Sequence, residues 1–330
     1  MPEVVYGPVP SWRYGWVIGV DIILPPKTCT FNCIYCQLGE TIFRISKPEE
    51  YEPRVTPEMV SAGLRNILSR VKIEEVSTIN VTGFGEPTLN RYLGKICEIV
   101  ASHSRGLKTI IQTNTSTLWM EDVVKSLRSL DQVIVKIDTL DEKMFRAINE
   151  PHPSITIDMI KDGLKNAIEI LGPKKVTLQC MLISKPFSNA KAEYLKPLVE
   201  LVNKYGIERV ELNTPLRPTR ISSVEPLSPL EMKKAIKYFM DNVKHSISIV
   251  NPYETRELIT VPKTISSLIS ELSAILMRRP ADFETLKLIF DVPEEDLRRA
   301  LSILVAKGEV QEVTYRGKKF YRTIVEYTPR

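Results

Sequence analysis

Short runs of β-branched and aliphatic residues alternate with amphipathic stretches along residues 16–253. The apolar positions within each run are nearly continuous, which is typical of strands in a parallel sheet that is buried on both faces. The predicted strands are residues 16–24, 76–84, 107–114, 131–138, 175–183 and 209–215, with a candidate last strand at 245–252. Repeated alternation of this kind indicates parallel strands joined by right-handed crossovers.

Helical periodicity between these runs predicts four helices, at residues 56–71, 154–171, 189–206 and 228–243. The first begins with a cap at Thr56 and a proline at its first position, and the third ends at Gly206. The spacing suits a full or partial (β/α) barrel, and we expect a (β/α)6-type partial TIM-like barrel in the α/β class. A doubly wound open sheet remains an alternative, since it would place the chemistry at the same edge.

The pattern changes near residue 264. Three helices are predicted at residues 266–280, 282–290 and 293–308, followed by a hairpin at 309–327 that turns at Arg316-Gly317. Three helices and a hairpin are the order of a winged helix-turn-helix. We therefore predict a barrel core at residues 1–253, a linker at 254–263 and a winged-helix domain at 264–330.

Composition narrows the class of protein without identifying it. The chain has 330 residues, of which 43% are hydrophobic and 26% are charged, and its net charge is +5. It lacks an apolar run long enough to cross a bilayer, and its first residues do not resemble a signal peptide, so we expect a cytoplasmic protein with no membrane partner. A mildly basic charge permits an acidic partner such as nucleic acid but does not require one.

Three of the five cysteines, Cys29, Cys33 and Cys36, lie within eight residues. They are too close together for a disulfide framework, and a reducing interior would keep them as thiols that bind a metal. Structural zinc requires a fourth ligand, usually in a second cysteine pair, which the sequence lacks. Three thiolates suit a [4Fe–4S] cluster with one iron left open. Cys97 and Cys180 lie in apolar segments, and we expect them to be buried packing residues.

The spacing C-x3-C-x2-C, with Tyr35 before the last cysteine, resembles the motif of the radical S-adenosylmethionine (radical SAM) superfamily. The segment TGFGEPTL at 82–89 resembles the Gly-Gly-Glu motif of that superfamily, with Gly85 and Glu86 matching and Phe84 in place of the first glycine. In the superfamily this segment binds the amino group of the methionine moiety. The resemblance extends over roughly residues 8–220.

The resemblance implies an enzyme that binds a [4Fe–4S] cluster and S-adenosylmethionine (SAM). An electron from the cluster, supplied by an external ferredoxin- or flavodoxin-like donor, would break the sulfonium–C5′ bond of SAM and give a 5′-deoxyadenosyl radical. The residue that takes part in the substrate reaction is not identified by the sequence.

Polar residues at the ends of the predicted strands are further candidates for SAM binding. Thr113 and Asn114 are candidates for the ribose or carboxylate, Asp138 for the ribose hydroxyls and Asn213 for the adenine. Ordinary turn or capping duty would explain these four residues equally well.

Basic residues near the same strand ends leave several roles open. Lys136 and Lys185 would anchor an anionic substrate or pair with Glu86 or Asp138. Arg217 would bind a phosphate or carboxylate, or pack on neighbouring aromatic residues.

Longer stretches at 6–41, 148–165 and 210–219 resemble a branch described as iron–sulfur oxidoreductases. That branch is similar to the archaeal wyosine-type enzymes, which build a tricyclic base in tRNA. Those enzymes carry a second cluster on three upstream cysteines, and residues 1–28 contain none. We therefore expect no second cluster here, and an RNA or RNA-linked substrate is one hypothesis.

The C-terminal module leaves two further hypotheses open. Its hairpin carries the basic residues Arg316, Lys318, Lys319 and Arg322, which would contact phosphates. Acidic residues in the preceding helices nearly cancel this charge, so the module would equally suit docking of a protein, as in a protein-modifying or enzyme-activating radical SAM protein. A cluster-sensing transcription regulator is a third hypothesis, against which the large barrel and the Glu86 segment argue.

Overall fold

The computed structural model describes residues 3–254 and 267–324. Its centre is an eight-stranded sheet in the order β1-β2-β5-β6-β7-β8-β10-β12, curled into a partial barrel. Strands β1 and β2 are antiparallel, and the other neighbours are parallel. The strands are β1 Val5–Ser11, β2 Gly15–Asp21, β5 Thr78–Thr82, β6 Lys108–Thr113, β7 Gln132–Lys136, β8 Val176–Met181, β10 Arg209–Asn213 and β12 Ser248–Val250.

All seven predicted strands, including the candidate last one, are present and shorter than predicted, and β2 begins before its predicted start, at Gly15. Strand β1 was not predicted because Pro8 and Pro10 interrupt it. Proline removes a ladder donor and is tolerated at a sheet edge. Strand β1 occupies that edge and has an irregular register between Tyr6 and Val9.

Within residues 3–254, seven α-helices accompany the barrel: α1 Pro57–Leu68, α2 Leu93–Ser102, α3 Glu121–Lys125, α4 Glu142–Asn149, α5 Ile157–Leu171, α6 Ala192–Tyr205 and α7 Pro229–Asn242. The four predicted helices correspond to α1, α5, α6 and α7. Thr56 precedes α1 without a side-chain capping bond, and Gly206 ends α6 in the left-handed conformation. Helices α2, α3 and α4 span ten residues or fewer, too few for their periodicity to predict them.

The two faces of the curled sheet differ in character. The outer face packs against the helices in one large apolar core. On the inner face, Lys136, Gln179 and Glu211 lie side by side in register on β7, β8 and β10. Arg13, in the turn between β1 and β2, reaches Glu211 on β10, and its guanidinium lies 3.1 Å from that carboxylate. The sheet is therefore buried on both faces, as predicted, but its inner face carries buried polar side chains as well as apolar ones.

Short strand pairs also form in the loops around the barrel. Strands β3 and β4 are parallel, and β9 and β11 are antiparallel. Their bounds are β3 Thr28–Cys29, β4 Phe43–Arg44, β9 Ile183–Lys185 and β11 Glu225–Pro226. The first pair shapes the segment that carries the three cysteines.

The C-terminal part follows the predicted order of three helices and a hairpin, with one short strand added. Its elements are α8 Leu268–Arg278, β13 Ala281–Asp282, α9 Phe283–Ile289, α10 Glu294–Ala306, β14 Val310–Tyr315 and β15 Lys318–Thr323. The hairpin turns at Arg316 and Gly317, both with positive φ. The predicted linker at 254–263 lies outside the described residues except for Glu254, as does the hairpin beyond residue 324.

The C-terminal part is joined to the barrel by an apolar cluster and a buried ion pair. Val9 and Trp16 of the β1–β2 hairpin pack with Leu272, Leu286 and other residues of its helices. At the end of α8, Arg278 Nε lies 2.5 Å from a carboxylate oxygen of Asp21 on β2. No helix among the described residues is long and apolar enough to cross a membrane.

Candidate functional site

The segment with the three cysteines is fastened to the carboxyl end of β5. Thr28 N donates to Phe84 O at 2.9 Å, and Glu86 N donates to Thr28 O at 3.2 Å. Gly85 lies between them with φ +138°, and a Cβ atom there would stand 1.6 Å from Thr28 O. Only glycine permits this approach, so the Gly85 of the motif is required by the docking of the cysteine segment itself.

All three thiols of the segment are free, and each has a nitrogen donor nearby. Lys27 Nζ lies 3.2 Å from Cys36 Sγ. Asn114 Nδ2 lies 3.6 Å from Cys29 Sγ, and Asn149 Nδ2 lies 3.5 Å from Cys33 Sγ. Donors directed at sulfur stabilise thiolate charge, which both metal binding and cluster ligation require.

The pKa values of the three thiols diverge. Burial raises the pKa of Cys29 to about 12 and also raises that of Cys33. Burial acts in the same direction on Cys36 and is the largest single influence, but the Lys27 ammonium, the Leu38 backbone N–H and the Lys136 charge together outweigh it and lower the pKa of that thiol below its ordinary value. Cys36 is thus the thiol that deprotonates most readily.

The three cysteine thiols suit an iron–sulfur cluster better than a single metal ion. Across residues 3–254 and 267–324, no three His, Cys, Asp or Glu side chains converge on a site for one metal ion. An iron–sulfur cluster does not need such convergence, because each thiolate binds a different iron atom. Three thiols on one segment, each with a nearby donor, are compatible with that arrangement.

Glu86 is buried and organises the strand ends beside the cysteines. Its Oε1 accepts from Thr88 Oγ1 at 2.6 Å, from Thr113 Oγ1 at 2.7 Å and from Thr88 N at 3.2 Å. Its Oε2 accepts from Asn114 N at 2.7 Å. Burial raises the pKa of Glu86, although these donors oppose the shift. A carboxylate offers about four acceptor positions, two on each oxygen, and Oε2 accepts only one hydrogen bond from the protein.

Tyr35 joins a second buried polar group at the ends of β7 and β8. Its hydroxyl contacts Asp138 and Lys136, and it accepts from Asn149 Nδ2 at 2.8 Å. Lys136 Nζ and Asp138 Oδ2 form an ion pair at 2.7 Å, and Met181 N donates to Asp138 Oδ1 at 2.8 Å. Burial and the Asp138 charge raise the pKa of Tyr35. Of the roles predicted for Lys136, the structure shows the ion pair with Asp138.

Four of the five residues predicted to bind SAM beside Glu86 fall into two groups in the structure, and Asn213 lies apart from both. Thr113 and Asn114 contact Glu86, while Asp138 and Tyr35 belong to the second polar group. Asn213 ends β10, where its Oδ1 accepts from Thr214 N at 2.8 Å, the turn role considered for it. All five residues form hydrogen bonds within the protein, and their contacts with SAM stay predictions.

Residues outside the site also have clear partners. Lys185 pairs with Glu225 at 3.0 Å and contacts neither Glu86 nor Asp138. Cys97 and Cys180 are fully buried in the large core, as predicted. Arg217 lies at a cavity inside the barrel, near Gln37 rather than stacked on an aromatic ring.

Sequence reasoning missed three contributors. Lys27 stands two residues before Cys29, and a lysine beside clustered cysteines is a recognisable local signal. Thr88 lies inside the Glu86 motif. Asn149 ends α4, more than a hundred residues from the cysteines, and only the fold brings it to Cys33.

Comparison with known proteins places this geometry in a family. The model of the radical SAM superfamily matches residues 23–185. A UPF0026 protein of Methanocaldococcus jannaschii is 27% identical, and the match covers 96% of this chain and 95% of the relative. A UPF0026 protein of Helicobacter pylori is 31% identical, with 88% and 89% covered.

A solved structure has the same type of fold. Streptococcus suis SuiB bound to S-adenosylmethionine superposes with a TM-score of 0.50 at 16% identity, over 71% of this chain. The match spans about half of that structure, 51% of its length. The chain belongs to the UPF0026 family within the radical SAM superfamily, whose enzymes bind S-adenosylmethionine and a [4Fe–4S] cluster.

Proposed function

We propose that this radical SAM enzyme holds one [4Fe–4S] cluster on Cys29, Cys33 and Cys36 and acts on an RNA or RNA-linked substrate. The cluster site is supported by the placement of three free thiols, each with a nitrogen donor, next to the buried Glu86 carboxylate. The RNA substrate is supported by the resemblance to the wyosine-type enzymes and by the basic residues of the C-terminal hairpin. When bound, the cluster and SAM supply a 5′-deoxyadenosyl radical that takes hydrogen from unreactive carbon. An external ferredoxin- or flavodoxin-like protein is the proposed electron donor.

The chain's own residues have distinct proposed tasks. Lys27, Asn114 and Asn149 stabilise negative charge on the three sulfur atoms through their N–H groups. Glu86 accepts the methionine ammonium at the open side of Oε2, while Thr113 fixes the orientation of the carboxylate. Because Glu86 is already oriented by its four donors, binding would not have to order it.

The second polar group is proposed to hold the nucleoside part of SAM. Asp138 and Tyr35 stand at the same sheet edge as Glu86, and Asn213 ends a strand further along it. Asp138 forms an ion pair with the Lys136 ammonium, and its carboxylate oxygens are acceptors suited to ribose hydroxyls.

The C-terminal part is proposed to be a winged-helix module that contacts the substrate. Its element order and three-stranded sheet support this assignment. Within the hairpin, Lys319 pairs with Glu312 at 2.7 Å, and Tyr315 Oη donates to Pro215 O at 3.1 Å. The hairpin therefore rests on the loop after β10, and Lys318 stays exposed beside it as a candidate phosphate contact.

Binding of RNA by the holoprotein tests the substrate proposal. We expect tRNA or a short RNA to bind more tightly than heparin, and Lys318→Gln to weaken binding and flatten its salt dependence. Lys233→Gln on α7 is the matched control, because Lys233 is also exposed and the charge change is the same. Equal and weak binding of all polyanions would contradict the RNA proposal. Stoichiometric capture of one protein would instead favour the protein-modifying alternative.

The radical chemistry is tested separately by anaerobic reconstitution and an assay for 5′-deoxyadenosine. We expect SAM cleavage by the wild-type protein in the presence of a reductant. Glu86→Gln should lower the affinity for SAM, because its amide replaces an acceptor with a donor. Exposed Glu98→Gln is the control and should behave like the wild-type protein.

A further inference from the structure

A cavity of about 200 Å³ lies inside the barrel, beside the proposed cluster site. Gln37 and Leu38, which directly follow Cys36, form one wall, and Phe84, which precedes Gly85, belongs to another. A molecule in this cavity would therefore lie next to both the cysteine segment and the Glu86 motif. The volume is smaller than that of typical pockets for drug-sized ligands, so it suits one small group of a larger molecule.

Four arginines line this cavity: Arg13, Arg217, Arg278 and Arg279. Two of them have carboxylate partners. Arg278 pairs with Asp21 at 2.5 Å, and Arg13 pairs with Glu211 at 3.1 Å.

Arg217 and Arg279 are different, since neither forms an ion pair within the part of the chain that the structure describes. Arg217 Nη1 donates to Gln37 Oε1 at 3.3 Å, and Arg279 Nη1 donates to Pro10 O at 2.9 Å. Asp282 attracts both guanidinium groups, but less strongly than Arg13 repels them, and its carboxylate caps α9 through Thr285 N at 2.8 Å. Within the described residues, two guanidinium groups thus line a small cavity without forming an ion pair.

Hydrogen bonding in the cavity is also incomplete. The Nε–H groups of Arg13 and Arg279 are buried without an acceptor. A buried donor without a partner is unfavourable, and such groups are few in folded proteins. Burial, followed by repulsion from Arg279 and Arg13, lowers the pKa of Arg217, and burial lowers the pKa of Arg279 to about 10. A bound anion would offset the repulsion between these neighbouring guanidinium groups.

We propose that Arg217 and Arg279, assisted by Arg13, bind a phosphate monoester group of the substrate in this cavity. A phosphate monoester carries nearly two negative charges, which match the two unpaired guanidinium groups. Planar guanidinium groups present paired N–H donors to phosphate oxygens. The position beside Cys36 and Phe84 would leave the rest of the substrate directed toward SAM. The assignment of this phosphate to the substrate rests on the proposed function. The binding of a phosphate by the cavity does not depend on it.

Titration of the holoprotein with inorganic phosphate, in the absence of SAM and at constant ionic strength, tests this inference. We expect one phosphate per chain, and Arg217→Gln and Arg279→Gln should each weaken binding by roughly ten- to a hundredfold, as for loss of charge-assisted hydrogen bonds. Arg298→Gln on α10 is the matched control, because Arg298 is exposed and its loss changes the net charge equally. Its phosphate affinity should be unchanged.

Urea unfolding without phosphate separates a ligand-binding role from a structural one. Since Arg217 forms no ion pair with the residues that the structure describes and is repelled by Arg279 and Arg13, Arg217→Gln should leave the midpoint unchanged or raise it. A loss of stability in Arg217→Gln and Arg279→Gln would overturn the proposal, as would phosphate binding that neither variant weakens. Tighter binding of succinate than of phosphate would overturn the assignment to a phosphate. None of these readouts uses SAM cleavage, so a failure here is distinct from a failure of the proposed function.

Discussion

Replacement of Gly85 by alanine should detach the cysteine segment from the barrel. The added Cβ would stand 1.6 Å from Thr28 O, and Cβ atoms need at least 3.0 Å, so the two backbones must separate by about 1.4 Å. Positive φ at residue 85 adds strain of roughly 1–3 kcal/mol for a residue with a side chain. The separation would break the hydrogen bonds at Thr28 and displace the adjoining Cys29.

Gly39→Ala provides a matched control within the same loop. Gly39 also has positive φ, at +79°, but a Cβ atom there would meet nothing within 4 Å. We expect this variant to lose only about 1–2 kcal/mol from backbone strain and to keep its iron.

Iron and sulfide content after anaerobic reconstitution, together with urea unfolding of the apoprotein, measures both effects. Gly85→Ala should lose most of its iron and several kcal/mol of stability, in excess of the strain seen in the control. The steric argument would be refuted if Gly85→Ala bound iron as the wild-type protein does and unfolded at the same urea concentration as Gly39→Ala.

Three further predictions concern the cysteines, the interface with the C-terminal part and the barrel interior. Alanine at Cys29, Cys33 or Cys36 should abolish stable iron binding, whereas Cys97→Ala should keep iron with a modest loss of stability; iron retained in a triad variant would contradict this. Asp21→Asn leaves the buried Arg278 charge unpaired and should destabilise the protein by about 3–5 kcal/mol in urea unfolding, and a change below 1 kcal/mol would contradict the role of the pair. Burial opposes ionisation of Glu211, but Arg13, Tyr14 and Gln179 together lower its pKa. The ionised carboxylate therefore stabilises the fold at neutral pH, and this stabilisation is lost as the pH falls through the lowered pKa of the folded state. Glu211→Gln should therefore cost about 3–5 kcal/mol near pH 7, with a difference from the wild-type protein that narrows in acid; a difference independent of pH would contradict it.

Local patterns in the sequence were enough to predict the parallel strands, because each is a compact apolar run. The inner face was not predicted, because isolated polar residues such as Gln179 within an apolar run do not reveal which face they occupy. The edge strand β1 escaped detection because its prolines oppose strand formation unless the edge position is known.

The candidate site shows the same division between local and long-range information. The cysteine motif and Glu86 are recognisable because each lies within a few consecutive residues. Arg13, Arg217 and Arg279 are separated by tens to hundreds of residues, and only the curling of the sheet and the packing of α8 bring them to one cavity. The missing ion pairs of Arg217 and Arg279 are equally invisible in the sequence, since acidic residues are plentiful along the chain.

The most direct test of the account is a spectroscopic study of the anaerobically reconstituted protein before and after addition of SAM. We predict iron and sulfide in the amounts of a single [4Fe–4S] cluster per chain, and an electron paramagnetic resonance signal of the reduced cluster that changes when SAM binds. Uptake of zinc in place of iron, or a signal that SAM leaves unchanged because a side chain occupies the fourth iron, would contradict the account.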